Sequence, residues 1–172
     1  MSISRIVFIF SVATGLVGCS GSLPQLVHSD PAAIEPPENA VLIRTLKGTG
    51  TQQFRCTADD QGRYWRFIAP KVTIKDKRRR TVMTQGAGFI FAAPDGSKLA
   101  AEIVAATESS SPVNLKPVLF KTTSIGAKGS LSDVVWIKRH NAIGGVPQTV
   151  CSASQVGMIL NVRFSADYSL YR

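Results

Sequence analysis

Short apolar runs, separated by turn-forming residues about every ten positions, restrict the fold of this chain more than any other feature. In the clearest run, apolar residues occupy every second position from Met158 to Phe164, and polar Asn161 and Arg163 stand between them. A period of two is typical of a β-strand with one buried face, whereas a helix would scatter these residues around its surface. The pattern therefore predicts strands rather than helices.

The same cadence continues through most of the chain. Runs of this kind lie at 41–44, 53–57, 64–68, 72–74, 88–91, 99–106, 117–122, 134–138 and 158–164. Residues suited to tight turns occur at 59–62, 94–97 and 144–145. We predict an all-β fold, with a single antiparallel β-sandwich or barrel-like domain over residues 41–172.

The N-terminus has the composition of an export signal. Arg5 is followed by an apolar run at 6–17, which is shorter than the roughly 20 residues that a membrane-spanning helix needs. We predict that residues 1–18 are a signal peptide that is removed on export.

Leu16, Val17, Gly18 and Cys19 resemble the lipobox of bacterial lipoproteins, in which the cysteine thiol accepts a diacylglycerol. The resemblance implies cleavage before Cys19 and attachment of the mature protein to a membrane, because more than one acyl chain gives stable anchoring. Ser20 follows the cysteine, at the position where Asp would imply retention in the inner membrane. We therefore expect a lipoprotein of the bacterial cell envelope, anchored in the outer membrane and facing the periplasm.

The segment after the lipobox cysteine is rich in proline. Residues 19–40 contain four of the chain's nine prolines, with small or polar residues between them. This composition is typical of an extended linker that has no packed core. We predict that the segment is a flexible tether between the lipid and the domain.

Three cysteines are an odd number for an exported protein, but lipidation of Cys19 leaves Cys56 and Cys151 as a pair. In an oxidising compartment we expect these two residues to form a disulfide. The alternative, a redox-active or nucleophilic cysteine, is less expected because the sequence has no Cys-x-x-Cys pair. Metal binding by two such distant cysteines is not expected.

The chain is basic, with a formal net charge of +9, and its densest positive segment is at 71–80. A field of this sign favours anionic partners. We predict that anionic lipid or lipopolysaccharide phosphate is contacted by Lys75, Lys77, Arg78, Arg79 and Arg80. The alternative is a solvated hairpin turn. Nucleic acid is not an expected partner outside the cytoplasm.

The sequence contains none of the common catalytic motifs. It has no Gly-x-Ser-x-Gly elbow and no His-x-x-x-His pair, and His140 is the one histidine after the tether. We expect no catalytic residues, no metal site and no cofactor. The main hypothesis is a non-enzymatic cell-envelope lipoprotein whose β domain binds a ligand or a protein partner. The alternative is a periplasmic hydrolase-like enzyme that uses His140 with a nearby acid.

Aromatic and polar side chains in two segments are candidates for contacting a small or amphiphilic ligand or an envelope protein. They are Trp65, Phe67, Trp136, Arg139 and Asn141. The alternative is that the aromatic side chains belong to the core. A cavity behind the Trp65 strand would favour ligand binding, and a solid core would favour a partner-binding scaffold.

Five motifs occur in order along the domain. They are Phe54-Arg-Cys56, Trp65-Arg-Phe-Ile-Ala-Pro70, Pro94-Asp-Gly-Ser97, Ile137-Lys-Arg-His-Asn-Ala-Ile-Gly-Gly145 and Phe164-Ser-Ala-Asp-Tyr168. Together they resemble an uncharacterised family of exported bacterial and fungal proteins, catalogued as domain of unknown function 3455. Its pattern Arg-x-Asn-Thr-x-Gly-Gly, followed by Cys, is matched here by Arg139, Asn141, Gly144, Gly145 and Cys151, with Ala142 in place of Thr. The resemblance implies no established activity.

One segment departs from that family. Before Asp-Gly-Ser, the family commonly has His followed by Gly-Pro-Thr-Trp-Glu, whereas this chain has Gln85-Gly-Ala-Gly-Phe-Ile-Phe-Ala92. If the His and Glu form a polar site in the family, this chain has lost or remodelled that site. The difference argues further against an enzyme.

Overall fold

Eight antiparallel strands form a closed barrel in the computed structural model, which describes residues 31–172. Each strand pairs with the next along the chain, and β8 closes the barrel by pairing with β1. The strands are β1 (Leu42–Asp59), β2 (Gly62–Lys75), β3 (Thr81–Gln85), β4 (Phe91–Ala92), β5 (Lys98–Ala106), β6 (Val118–Ser124), β7 (Trp136–Gly144) and β8 (Ile159–Tyr171). The expected single antiparallel all-β domain is confirmed. It is a barrel rather than a sandwich because β1 has a partner on both sides.

Helical structure in the described part of the chain is limited to three 3₁₀ helices, Pro31–Ile34, Ala87–Phe89 and Ala153–Gln155. Within residues 31–172, no helix has the length and apolar character needed to cross a membrane. The predicted signal peptide, Cys19 and the first part of the predicted tether lie outside the described residues.

The last part of the predicted tether lies against the barrel. Pro31–Ile34 contacts β5, and the Ile34 side chain is buried. Glu35 forms an ion pair with Lys138 of β7. The packed part of the chain therefore begins before residue 41, because apolar and acidic groups of this segment find partners on the barrel wall.

The first strand is longer than the sequence pattern predicts, because it joins two of the predicted runs. The runs at 41–44 and 53–57 form the two ends of β1, with Gly48 and Gly50 between them. A Cβ atom at Gly48 would overlap the Tyr168 ring, so glycine is needed where this ring fills the barrel. These glycines therefore make room inside a continuous strand instead of ending it.

The alternation predicted for the last strand is confirmed in β8 and continues further. Side chains at every second position from Leu160 to Leu170 share one face, and those from Phe164 onward on this face are buried. Met158, which the pattern also places on that face, precedes the strand and is 56% exposed, and its amide donates to the Gln155 carbonyl in a turn.

The turns predicted at 59–62 and 94–97 connect β1 to β2 and β4 to β5. In the second turn, the Asp95 carboxylate accepts hydrogen bonds from the Ser97 hydroxyl at 2.6 Å and the Ser130 amide at 2.7 Å. These donors, with the Ser97 hydroxyl first, hold the pKa of Asp95 well below its usual range. The turn is thus fastened to the loop that follows β6.

The barrel interior is packed at one end and open at the other. The packed end contains side chains with no exposed surface, namely Ile74, Met83, Phe91, Leu99, Phe120, Ile137 and Leu170. Toward the other end, Phe67 of β2 and Ile103 of β5 line a pocket and are 41% and 44% exposed. These partly exposed apolar side chains mark the mouth of the barrel.

A disulfide between Cys56 and Cys151 confirms the predicted pairing, with Cα atoms 5.8 Å apart. Cys56 lies in β1, and Cys151 lies in the loop at 145–158 that connects β7 to β8. Backbone hydrogen bonds also join this loop to Cys56, whose carbonyl accepts from the Gly157 amide at 2.9 Å. The loop is therefore fixed to the mouth end of the barrel.

Candidate ligand site at the barrel mouth

A pocket of about 270 Å³, here called the mouth pocket, lies at the open end of the barrel. Apolar side chains from six segments make up most of its wall: Phe54, Phe67, Phe89, Ile103, Leu115 and Val146. Two polar side chains, Gln52 and Arg139, also line it. The volume is close to the lower end of the range of small-molecule sites, which begins at about 300 Å³.

Aromatic rings connect the mouth pocket to the packed core. The ring centroids of Phe54 and Phe67 are 5.8 Å apart, and Phe67 stacks on Phe89 at 6.1 Å. Phe89 is in turn 5.7 Å from Phe120, which belongs to the core. Because aromatic pairs attract one another at such separations, the core holds the pocket wall in place.

Phe89 adopts a backbone conformation that its residue type disfavours. Its φ of 56° lies in the left-handed region, which costs an L-residue roughly 1–2 kcal/mol and is unusual for a bulky side chain. The rings of Phe67 and Phe120 lie close to its ring and hold it there. Strained residues of this kind cluster at ligand sites, so the conformation adds to the case for the mouth pocket.

Two buried polar side chains of the mouth pocket have atoms that lack hydrogen-bond partners. Gln52 is 3% exposed and Arg139 is 6% exposed. Within residues 31–172, no group bonds Gln52 Oε1 or Arg139 Nε, although Arg139 Nη2 donates to the Lys116 carbonyl at 3.0 Å. Buried polar atoms are nearly always paired in folded proteins. Arg44, Trp65 and Gln85 also have such an atom, but of these five side chains only Gln52 and Arg139 line the mouth pocket, where a bound molecule could supply the missing partner.

The charge of Arg139 has no counterion in the described part of the chain. Burial lowers the pKa of its guanidinium, and Tyr168 is the one side chain that acts in the opposite direction. Burial also raises the pKa of Tyr168 to about 12, and its hydroxyl donates to Gln85 Oε1 at 3.1 Å. Tyr168 is therefore neutral at physiological pH, while arginine stays protonated. The barrel thus contains an uncompensated cation beside the mouth pocket.

The position of Leu115 in the wall of the mouth pocket depends on a glycine. Gly145 has a φ of 101°, and a Cβ atom there would lie 2.5 Å from Leu115 Cγ. The Leu115 amide donates to the Gly144 carbonyl at 3.0 Å, and Asn114 Oδ1 accepts from the Gly144 amide at 2.8 Å. The end of β7 therefore fixes the loop that brings Leu115 to the pocket.

The five predicted ligand contacts do not form one cluster. Phe67 and Arg139 both line the mouth pocket. Trp65 lines a separate, shallow pocket on the neighbouring surface, and Trp136 begins β7 toward the packed end of the barrel. Asn141 lines a third pocket on the outer wall. The structure therefore brings together two of the five predicted contacts.

Several residues of the mouth pocket were not predicted from the sequence, among them Gln52, Phe54, Phe89 and Ile103. Gln52 and Phe54 are two positions apart and so share a strand face, which is the signal that could have placed them together. Phe89 follows a Gly-Ala-Gly segment with no periodic pattern, so no local signal points to its role.

His140 lies in a pocket of about 400 Å³ on the outer wall of the barrel. Its Nε2 is 3.0 Å from Ser169 Oγ, which is 2.8 Å from Thr45 Oγ1. Burial lowers the pKa of His140. Ser169 is 4% exposed, so its hydroxyl is not open to a substrate.

Asp167, the acid nearest to this pair, bonds other groups. One of its oxygens accepts from Asn141 Nδ2 at 2.9 Å, and the other pairs with Lys47 Nζ at 2.7 Å. A Ser-His-Asp triad needs the acid on the ring nitrogen opposite the serine, and neither bond places Asp167 there. The group is arranged as a polar network that joins β7 to β1 and β8.

The predicted contacts to an anionic surface lie together on the hairpin between β2 and β3, here called the basic hairpin. They are the exposed side chains of Lys75, Lys77, Arg78, Arg79 and Arg80. Asp76 pairs with Arg80 at 2.7 Å. Arg79 has a φ of 63° at a turn position where glycine is usual. The hairpin therefore carries a cation at a position where glycine would be less strained.

Within residues 31–172, no three His, Cys, Asp or Glu side chains lie close enough together to bind a metal ion. Comparison of the chain with protein-family models, with curated proteins and with solved structures found no match. The resemblance to domain of unknown function 3455 stays a prediction, and the case for a function depends on the geometry above.

Proposed function

We propose that this protein is a cell-envelope lipoprotein whose barrel binds a small amphiphilic molecule in the mouth pocket. The observation that carries the proposal is an apolar wall combined with two buried polar side chains, Gln52 and Arg139, each of which has one atom without a hydrogen-bond partner in residues 31–172. Small-molecule sites typically have this composition, because apolar surface contributes affinity and a few polar groups fix the orientation. The envelope location depends on the predicted signal peptide and on Cys19.

Preorganisation of the pocket supports a small ligand over a protein partner. The Phe89 ring is fixed by the core, and the Cys56–Cys151 disulfide fixes the loop that carries Val146. A wall that is already ordered has less conformational entropy to lose on binding. Arg139 and Gly145, on which the predicted family resemblance partly depends, shape the same pocket.

Two pairs of neighbouring residues give a matched test. Phe67 and Ile68 are 41% and 44% exposed, and Ile103 and Val104 are 44% and 47% exposed, but only the first of each pair lines the pocket. The probe is N-phenyl-1-naphthylamine, a neutral dye that fluoresces in apolar sites. We expect Phe67→Ser and Ile103→Glu to weaken dye binding at least roughly tenfold. Ile68→Ser and Val104→Glu should leave it unchanged, and equal effects within each pair would contradict the proposal.

The alternative function, a hydrolase-like enzyme that uses His140, has one supporting observation, the contact between His140 and Ser169. The burial of Ser169 and the bonds of Asp167 weigh against it. Hydrolysis of p-nitrophenyl esters of increasing chain length tests this alternative. Activity that is lost in both His140→Ala and Ser169→Ala would favour the enzyme, and activity equal to the uncatalysed rate in the wild type would remove it.

The basic hairpin is the part of the domain that we assign to the anionic lipid surface. Its cations are exposed, and Arg79 keeps a strained conformation that a glycine would relieve. Each basic residue near an anionic leaflet contributes about 1 kcal/mol, so three of them change affinity roughly a hundredfold. The attraction should weaken as salt is added, because the surface potential is screened.

Vesicle sedimentation in the Cys19→Ser background tests this surface without an acyl chain at that position. We expect binding to phosphatidylglycerol vesicles, weak binding to phosphatidylcholine vesicles, and loss of binding when Lys77, Arg78 and Arg79 are changed to Gln. The control changes three exposed cations near the mouth, Arg55, Arg63 and Arg163, to Gln. Equal losses in the two triple variants would show that net charge alone matters.

Palmitate labelling tests the lipid anchor separately. Labelling that persists in Cys19→Ser would contradict the lipid anchor.

A further inference from the structure

Arg139 is a cation for which the fold provides an incomplete set of partners. It shares the inner face of β7 with the fully buried Ile137. One of its nitrogens donates to a backbone carbonyl, and the Tyr168 hydroxyl is close enough to raise its pKa. Its Nε has no partner within residues 31–172, and no carboxylate there contributes to its pKa. A buried charge without a counterion is costly. An anion in the mouth pocket would remove part of that cost.

The number of free donors distinguishes between classes of anion. A guanidinium is planar and suits a carboxylate, whose two oxygens accept hydrogen bonds in one plane. Gln52 lines the same pocket, and its amide can turn to present its NH₂ group as a second donor. A phosphate has three strong acceptor oxygens and a larger charge, so it would need more donors than these two side chains offer. The site therefore fits a carboxylate better than a phosphate.

The apolar side chains of the mouth pocket determine the chemistry of the part of the ligand that does not contact Arg139. The Phe67 ring packs against the rings of both Phe54 and Phe89, and Phe67 is partly exposed to solvent. Together with Ile103, they line the same pocket as the buried guanidinium. A ligand that pairs with Arg139 must therefore place a hydrocarbon body against these side chains.

We infer that the molecule bound in the mouth pocket is an amphiphilic acid, in which one carboxylate pairs with Arg139 and a single apolar chain or ring lies against Phe54, Phe67 and Phe89. The inference rests on the proposed function and adds the chemical class of the ligand. Arg139 then selects for the carboxylate head group of the ligand, and Gln52 donates a second hydrogen bond to that carboxylate.

Two probes that differ only in the head group test this inference on the intact protein. Octanoate and octanamide have the same apolar chain, and isothermal titration calorimetry measures the affinity of each. A hydrogen-bonded charge pair in a buried site should make octanoate bind roughly tenfold to a hundredfold more tightly than octanamide. The comparison uses the wild-type protein, so it does not depend on the folding of a variant.

Variants then test whether Arg139 causes the preference for octanoate over octanamide. Arg139→Met should reduce the affinity ratio to about one while both probes still bind, and Arg139→Lys should keep part of the preference. Lys138→Met is the matched control, because Lys138 is the adjacent cation but pairs with Glu35 on the outer wall. The ratio should be unchanged in this control. Thermal unfolding confirms that each variant is folded before it is titrated.

Different outcomes bear on the ligand class and on the proposed function. Equal binding of octanoate and octanamide to the wild type would overturn the carboxylate inference and leave the proposed function intact. A preference that survives in Arg139→Met would overturn the role of Arg139. Failure of both probes and of the neutral dye to bind would overturn the proposed function and, with it, this inference.

Discussion

Removal of the Cys56–Cys151 disulfide is the change whose effect on stability can be worked out most directly. The perturbation is the double variant Cys56→Ala/Cys151→Ala, or reduction of the wild type. The bond joins β1 to the loop that precedes β8, with a sequence separation of 95. In the folded protein, the two segments are also held together by backbone hydrogen bonds of Cys56. The main effect of the bond should therefore be on the unfolded chain.

The expected loss of stability follows from loop closure. For 95 positions, the chain-entropy relation gives about 4.7 kcal/mol at 25 °C. Domains typically have a free energy of unfolding of about 5–15 kcal/mol, so the loss is between a third and nearly all of it. A chain of this length loses roughly 2–4 °C of Tm for each kcal/mol, so Tm should fall by roughly 10–20 °C.

Urea unfolding followed by tryptophan fluorescence measures this effect. Trp65 is paired with Cys56 across β1 and β2, so its emission reports on the region that the bond constrains. Cys19→Ser is the control, because it removes a thiol but leaves the disulfide, and its midpoint should match that of the wild type. The m-value should rise on removal of the bond, because the unfolded chain becomes less compact.

A loss of less than about 1 kcal/mol would refute the loop-closure reasoning. Such a result would mean that the unfolded chain keeps these segments together without the bond. A large loss in the double variant, but none on reduction of the wild type, would instead assign the effect to the alanine side chains.

Three further predictions concern single residues. The folded pKa of Asp95 lies below its unfolded value of about 3.9, so the stability that Asp95 contributes is present above that pH and is lost as the pH falls further. Asp95→Asn should therefore lower stability at neutral pH and flatten its dependence on pH below about 4, as measured by urea unfolding. Gly145→Ala should cost at least about 2 kcal/mol, because the new Cβ meets Leu115 and the residue has a positive φ, whereas Gly86→Ala, which has open space around it, should cost less. Arg79→Gly should raise stability by about 0.5–1 kcal/mol by relieving the left-handed conformation, and should weaken binding to anionic vesicles; an unchanged midpoint would contradict the strain.

The fold class could be predicted because the strands that build the core alternate regularly. From Leu160 onward, every second residue of β8 faces inward, so the local pattern alone defines the strand and its buried face. The predicted turns at 59–62 and 94–97 are formed for a similar reason, since each contains residues whose backbone preferences suit a reversal. Parity of the cysteines predicted the disulfide once Cys19 was assigned to lipid.

The length of β1 and the position of the mouth pocket could not be predicted from local patterns. Gly48 separates two apolar runs in the sequence, and its role in making room for Tyr168 appears only when β8 lies beside β1. Arg139 shares a strand face with Ile137, but charged side chains are seldom buried, so residue type and alternation predict opposite positions for it. Phe54 and Phe89 belong to one pocket because both rings pack against Phe67 of β2, a tertiary contact that no local pattern shows.

The central claim, that the mouth pocket binds an amphiphilic acid, is tested most directly by mapping the binding site of octanoate by NMR. The measurement is the change in backbone amide shifts of the isotope-labelled protein as octanoate is added. We predict that the largest shifts occur around Gln52, Phe67, Ile103 and Arg139, and that octanamide shifts the apolar wall but moves Arg139 much less. Shifts that centre on His140 and the outer pocket, or that are scattered over the surface, would contradict the claim.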